Sequence, residues 1–205
     1  MVRIDHFRGF EAYFSIEYGA ENARGGKWIK GPGMDFFTQV KKQLPDLAII
    51  AEDLGYLTEE VHALLAGTGY PGMKVLQFAF DSGSGNAYLP HHYIQNCVVY
   101  TGTHDNDTIA GWFENTPEEE VAYAKKYGAL TREEGYNWGM IRLALSSVAA
   151  LAVVPMQDYL NLSSAARMNT PATLGGNWKW RANADYLSGG LAQKIRELAE
   201  RYGRI

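Results

Sequence analysis

Five short runs, each apolar first and acidic last, constrain this 205-residue chain more than any other feature. Val2 to Ile4 leads into Asp5-His6, and Leu47 to Ala51 into Glu52-Asp53. Met73 to Phe78 leads through Ala79-Phe80 into Asp81, Cys97 to Tyr100 through Thr101-Gly102-Thr103 into His104-Asp105-Asn106-Asp107, and Leu151 to Val154 through Pro155-Met156 into Gln157-Asp158. Longer segments of helical period separate the runs, and that alternation marks parallel βαβ units with helices covering a sheet. Ligands of such α/β folds bind at the carboxyl ends of the strands, so acids repeated there are expected to converge on one rim. Asp81 and Asp158 serve equally well as helix caps, whereas Asp5, Glu52 and Asp105 have polar neighbours ahead and apolar strand behind.

The helices carry start and stop signals. Thr58-Glu59-Glu60-Val61 sets a hydroxyl before two acids, and Thr116-Pro117-Glu118-Glu119 combines a capping box with proline at the expected first helical position. Trp138, Ile141, Leu145 and Val148 form one apolar stripe; Leu187, Leu191, Ile195, Leu198 and Tyr202 form another that stops at Gly203. No internal repeat, low-complexity stretch or Pro/Gly/Ser-rich linker divides the chain, so one domain spanning 1–205 is expected.

With 46% apolar and 20% charged residues the chain has the make-up of a globular domain rather than a disordered one. Lys plus Arg number 19 against 23 Asp plus Glu, which leaves no basic excess for a nucleic-acid backbone. The apolar stretch from Val148 to Met156 falls far short of a membrane span, and the first residues lack the basic-then-apolar pattern of an export signal. One cysteine, Cys97, at the head of an apolar run, reads as a small buried hydrophobe in a reducing, cytoplasmic setting.

The glycines at 25–26 and 31–33 have no phosphate-loop spacing and read as an ordered loop before the apolar residues Phe36, Phe37 and Val40. His91-His92 has no metal-ligand partners at useful spacing and reads as solvated loop. Several carboxylates without a nucleophilic thiol, a histidine triplet or a phosphate loop point toward glycosidic-bond chemistry, which needs two acids across the anomeric carbon. Mg²⁺-assisted phosphoryl chemistry is the competing use of such acids, but no companion lysine or glycine loop supports it.

Several longer words carry a resemblance. Arg3-Ile4-Asp5-His6-Phe7-Arg8-Gly9-Phe10, Ile50-Ala51-Glu52-Asp53-Leu54-Gly55, Pro71 to Phe80 and Tyr100-Thr101-Gly102-Thr103-His104-Asp105-Asn106-Asp107-Thr108 resemble the 4-alpha-glucanotransferases of glycoside hydrolase family 77, also called amylomaltases or disproportionating enzymes. Met168-Asn169-Thr170-Pro171 and Asn177-Trp178-Lys179-Trp180-Arg181 resemble the same family, and the motif order holds from residue 3 to about residue 202.

The resemblance implies Asp5 as nucleophile, Glu52 as general acid then base, and Asp105 as a third carboxylate bonding sugar hydroxyls. It implies substrate contacts for Arg3, His6, His104, Asn106 and Asp53, and no metal or organic cofactor. Substrates would be maltooligosaccharides and α-1,4-glucans derived from starch or glycogen, with glucose as an acceptor. Tyr13, Phe14, Trp28 and Trp112 are candidates for stacking on sugar faces, each with a core role as the alternative. Arg3, two residues before Asp5, lies on the same strand face and is expected to hold that carboxylate ionised; Ile49-Ile50-Ala51 is expected to favour a protonated Glu52. The implied fold is the C-terminal part, about strands four to eight, of a (β/α)8 barrel, because five runs in 205 residues fall short of a whole one. With the first three strands absent, complementation by the missing half is expected, and the alternatives are an α-amylase-like hydrolase or an inactive, self-associating carbohydrate-binding fragment.

Overall fold

The computed structural model describes all residues, 1–205, and its backbone follows the alternation of runs closely. The chain forms two compact units, Met1–Met73 and Lys74–Ile205. In the first, β1 (Val2–Ile4) is followed by an antiparallel hairpin of β2 (Ala12–Ser15) and β3 (Lys27–Lys30), then α1 (Gly33–Gln43), β4 (Ile49–Ala51) and α2 (Glu59–Thr68). β1 and β4 are parallel, with Val2, Arg3 and Ile4 opposite Ile49, Ile50 and Ala51. Two parallel neighbours joined through a helix are the βαβ geometry that the sequence implied.

Phe7, Phe37, Ala51, Val61 and Leu64 form the buried centre of this unit, with Phe10, Tyr70 and Ile4 packed around them. The Phe37 ring lies 5.2 Å from Phe7 and 5.0 Å from Phe10, so α1 is fixed beneath the turn that follows β1. Thr58 occupies the N-cap position of α2, and Gly69 ends that helix in the left-handed conformation, φ 69°.

The hairpin was not visible in the sequence, where its glycines read as loop. Its strands keep exposed side chains along nearly their whole length, so no buried face imposes an apolar period on them. Gly31 is required where the hairpin closes: its N–H donates to the Glu11 carbonyl at 2.7 Å, and a Cβ there would collide with the Phe10 carbonyl and sit 2.8 Å from that of Gly9. Because the obstacles are backbone atoms, Gly31→Ala is expected to cost about 2–3 kcal/mol, seen as a lower urea midpoint with an unchanged slope.

The division between the units falls inside β5 (Gly72–Val75). The second unit builds a three-stranded sheet in the order β5, β6 (Cys97–Tyr100), β7 (Leu151–Val153), with β6 and β7 parallel. Between β6 and β7 run α3 (Ile109–Asn115), α4 (Glu118–Gly128) and α5 (Tyr136–Ser146); α6 (Met156–Tyr159) and α7 (Gly189–Arg201) follow. Its core joins Leu76, Phe80, Val99, Ile109, Met140 and Ile141 among others. No helix is long and apolar enough to cross a membrane.

Several expectations shift here. The run from Met73 to Phe78 is strand only to Val75 and then a 3-10 turn, Leu76–Phe78, so Asp81 ends no strand; its carboxylate instead accepts from Asn86 at 2.8 Å. Pro117 stands at the N-cap of α4 rather than at its first position, because Thr116 still belongs to the end of α3. Val148 lies beyond α5 and is exposed, and Leu187 precedes α7 and is exposed too. Cys97 is buried as expected, with its thiol 3.0 Å from the Ile94 carbonyl.

Candidate active site

At the carboxyl end of the β1–β4 pair, the next rung beyond Ile4 and Ala51 sets Asp5 opposite Glu52. The Glu52 N–H donates to the Ile4 carbonyl at 2.9 Å, as a continuing parallel ladder requires. There the ladder is diverted. His6 adopts a left-handed backbone, φ 49° and ψ 52°, and its N–H donates to Glu52 Oε2 at 2.6 Å instead of to the Glu52 carbonyl. Phe7 N–H takes that carbonyl at 2.9 Å, so the turn swings the buried Phe7 ring into the core and leaves Asp5 at the strand tip. The energetic cost of a non-glycine residue in this conformation is about 1–2 kcal/mol, met here by the two new backbone bonds and the burial of Phe7.

The Asp5 side chain is 76% exposed and accepts from Arg3 Nη2 at 2.8 Å. Arg3 is held in turn by the Met73 sulfur, 3.8 Å from Nη1. This guanidinium sits on the same strand face as Asp5, as the period of two requires, and its N–H groups are aimed at the carboxylate. Glu52 is half-buried, and its second oxygen, Oε1, accepts from Leu54 N–H at 2.9 Å. Both carboxyl oxygens therefore receive backbone N–H bonds, which fix the direction in which the carboxyl group points. Asp53 points to the start of β5: Oδ1 accepts from Met73 N–H at 2.6 Å, and the carboxylate fills the space that a Cβ on Gly72 would need.

In the second unit, the loop from β6 to α3 carries His104, Asp105 and Asn106. Asp105 Oδ1 accepts from Asn169 Nδ2 at 2.5 Å, and His104 Nε2 lies 3.2 Å from Asp105 Oδ2. The Asp105 carbonyl accepts from Arg167 Nη2 at 3.0 Å, and Asn169 N–H donates to the His104 carbonyl at 3.1 Å, so residues 167–169 run alongside the loop. Asn106 Oδ1 accepts from both the backbone N–H and the hydroxyl of Thr103, at 2.8 Å each, and so closes the loop on itself. Trp178, 53% exposed, lays its ring 5.1 Å from that of His104. Thr103, His104, Asp107, Asp158, Arg167 and Met168 are among the residues lining a pocket of about 180 Å³.

Sequence reading missed Asn169 and Arg167 as neighbours of Asp105, and Trp178 as the neighbour of His104. For Asn169 and Trp178 the only signal was that Met168 to Pro171 and Asn177 to Arg181 belong to family words, without a role attached, and Arg167 lies outside both. Asp158 lies in α6 and is fully buried; burial pushes its carboxyl up to about 6, opposed by hydrogen bonds from Thr101 and Ile109 and reinforced by the nearby negative charge of Asp107. Trp112 is withdrawn as a stacking candidate, since it is buried against Phe80 with ring centres 5.7 Å apart. Tyr13, Phe14 and Trp28 stay exposed on the hairpin, with the Arg8 guanidinium 4.5 Å over the Trp28 ring. His91 and His92 sit in an exposed 3-10 turn, next to the Tyr127 hydroxyl and the Ser84 carbonyl respectively.

The family model described as 4-alpha-glucanotransferase matches residues 1–187. The chain belongs to the 4-alpha-glucanotransferase family. Among curated relatives, the 4-alpha-glucanotransferase of Clostridium butyricum is 57% identical over 205 residues, all of this chain and 42% of that protein. That of Thermus thermophilus is 46% identical over 212 residues, again all of this chain and 42% of its own length. A solved amylomaltase from Streptococcus agalactiae, in complex with acarbose, superimposes with a TM-score of 0.93 at 41% identity, covering 98% of this chain and 41% of that one. The chain thus spans about two fifths of the length of these 4-alpha-glucanotransferase relatives.

Proposed function

We propose that this chain is the catalytic segment of a 4-alpha-glucanotransferase, a retaining enzyme that moves α-1,4-glucan units from one maltooligosaccharide to another. The observation that carries the reading is the position of Asp5 and Glu52, each the residue directly after one of two neighbouring parallel strands held in register with Ile4 opposite Ala51. Strands in one sheet lie about 4.8 Å apart, which suits the roughly 5–5.5 Å between carboxyl groups in retaining glycosidases rather than the wider gap of inverting ones.

In this reading Asp5 attacks the anomeric carbon while Glu52 delivers a proton to the glycosidic oxygen, and the C1–O bond breaks to give a glucosyl ester on Asp5. Glu52 then takes the proton from the 4-hydroxyl of an incoming glucan or glucose, that oxygen bonds to C1, and Asp5 leaves as the carboxylate. Two inversions retain the α configuration. Arg3 keeps Asp5 aimed, since its guanidinium already donates to the attacking group. Asp105, supported by His104 and Asn169, accepts hydrogen bonds from sugar hydroxyls that strengthen in the transition state. No organic cofactor or metal has a part in these steps.

We further assign the chain to about strands four to eight of a (β/α)8 barrel, in a cytoplasmic protein. The support is the α/β architecture shared with amylomaltase and the edge position of β1 and β7, where Val2 and Leu151 are exposed on strands of a type ordinarily covered. Complementation by the strands that would pair there follows from the same feature.

The test is a chimera in which this chain replaces the 205 residues that it matches in the Clostridium butyricum relative. Incubated with maltotriose, the chimera is expected to yield glucose together with maltopentaose and longer glucans. Glucose and maltose with nothing longer than maltotriose would assign hydrolysis instead, and no turnover would remove the enzyme reading.

A further inference from the structure

The loop bearing His104 and Asp105 is tied at both ends to a single buried side chain. Thr101, the first residue after β6, donates its hydroxyl to Asp158 Oδ2 at 2.6 Å; Ile109, the first residue of α3, donates its N–H to Asp158 Oδ1 at 2.8 Å. Asp158 is itself anchored, because Asn137 of α5 donates to its carbonyl at 2.9 Å. All four residues are at least 95% buried, so water offers no substitute partner for any of these groups.

We propose that Asp158 is a positioning residue whose carboxylate clamps the two ends of the 101–109 loop and thereby sets where the Asp105 carboxylate stands. This rests on the reading of Asp105 as the third carboxylate of the reaction. A carboxylate suits the task because both groups aimed at it are donors, and only an ionised acid presents two acceptors along those two directions. Its carboxyl, pushed up to about 6, is ionised at neutral pH. The groups that face it are the negative Asp107, whose charge raises it further, and Tyr159; His104 and Arg167 share the same pocket. Asp107 is spoken for separately, accepting from the Ser164 hydroxyl at 2.7 Å and Thr108 N–H at 2.8 Å, so it holds the α3 end of the loop from the outer side.

Three variants in the chimera separate positioning from mere support. Asp158→Ala removes both links, and Thr101→Val removes one with almost no change of shape. Asp158→Asn can keep both, its amide oxygen accepting from Ile109 and its amide N–H donating to a turned Thr101 hydroxyl. With maltotriose, Asp158→Ala is expected to lower kcat by about 10²-fold and Thr101→Val by about 5-fold with KM changed less than about twofold, while Asp158→Asn recovers activity to within about threefold of the parent.

Amide hydrogen exchange on the same proteins should show Ile109 exchanging about tenfold faster in Asp158→Ala and unchanged in Asp158→Asn. Folded variants that all keep the parent kcat, or that lose activity only through KM, would overturn the proposal while leaving the function intact. A parent that transfers no glucosyl unit would instead sink the functional reading, and the exchange of Ile109 would then decide the clamp by itself.

Discussion

Asp5→Asn in the chimeric enzyme is expected to abolish disproportionation of maltotriose, lowering kcat by about 10⁴-fold or more, the scale on which loss of a covalent nucleophile acts. The fold should be untouched, because the side chain is 76% exposed and its one protein partner is Arg3. An amide retains an oxygen for that guanidinium but cannot form the glucosyl ester, so substrate binding should persist with KM within about threefold. Glucose release by coupled assay and product length by chromatography report both halves of the expectation. A loss of less than tenfold would move the nucleophile elsewhere.

Phe37→Ala carries the largest expected effect on stability. The ring is fully buried and meets Phe7, Phe10, Phe36 and Tyr70 at 5.0 to 5.7 Å between centres. Truncation leaves a cavity in a centre of only five buried residues and should cost about 3–5 kcal/mol. Phe14→Ala on the exposed hairpin is the control and should cost no more than about 1 kcal/mol, since that ring already meets solvent. Urea unfolding of both variants checks the contrast, and equal losses would mean that the first unit is not organised around Phe37. The proposed chemistry calls on this packing, because the Phe7 N–H bonds the Glu52 carbonyl in the turn that follows Asp5.

The strands were legible because their residues obey constraints visible one element at a time. Val2–Ile4 and Cys97–Tyr100 match to the residue, while the Leu47 run starts two residues late, at Ile49. The hairpin was illegible for the complementary reason: Lys27-Trp28-Ile29-Lys30 buries neither face, so nothing in its spelling separates a strand from an ordered loop. Asp5 and Glu52 could be found as acids at strand ends. Asn169 could not be placed beside Asp105, because 64 residues separate them and a bond between two irregular loops leaves no periodic trace. The backbone N–H that His6 supplies to Glu52 was illegible on the same count, since the turn that aims it arises from tertiary packing rather than from any capping pattern.

The constant register between β1 and β4 has a consequence for how such chains can vary in length. Each residue of one strand faces a residue of the other at a fixed interval of 47, yet nearly all of that interval is spent on a surface hairpin and a helix. Added or deleted residues at the exposed hairpin tip, between Ile16 and Ala23, would change the interval without disturbing a single rung. One residue gained inside β1 itself would turn Asp5 to the opposite side of the sheet. The length of the excursion between the two acids is therefore free to change at that tip, whereas the length of the three-residue strand before each acid is not.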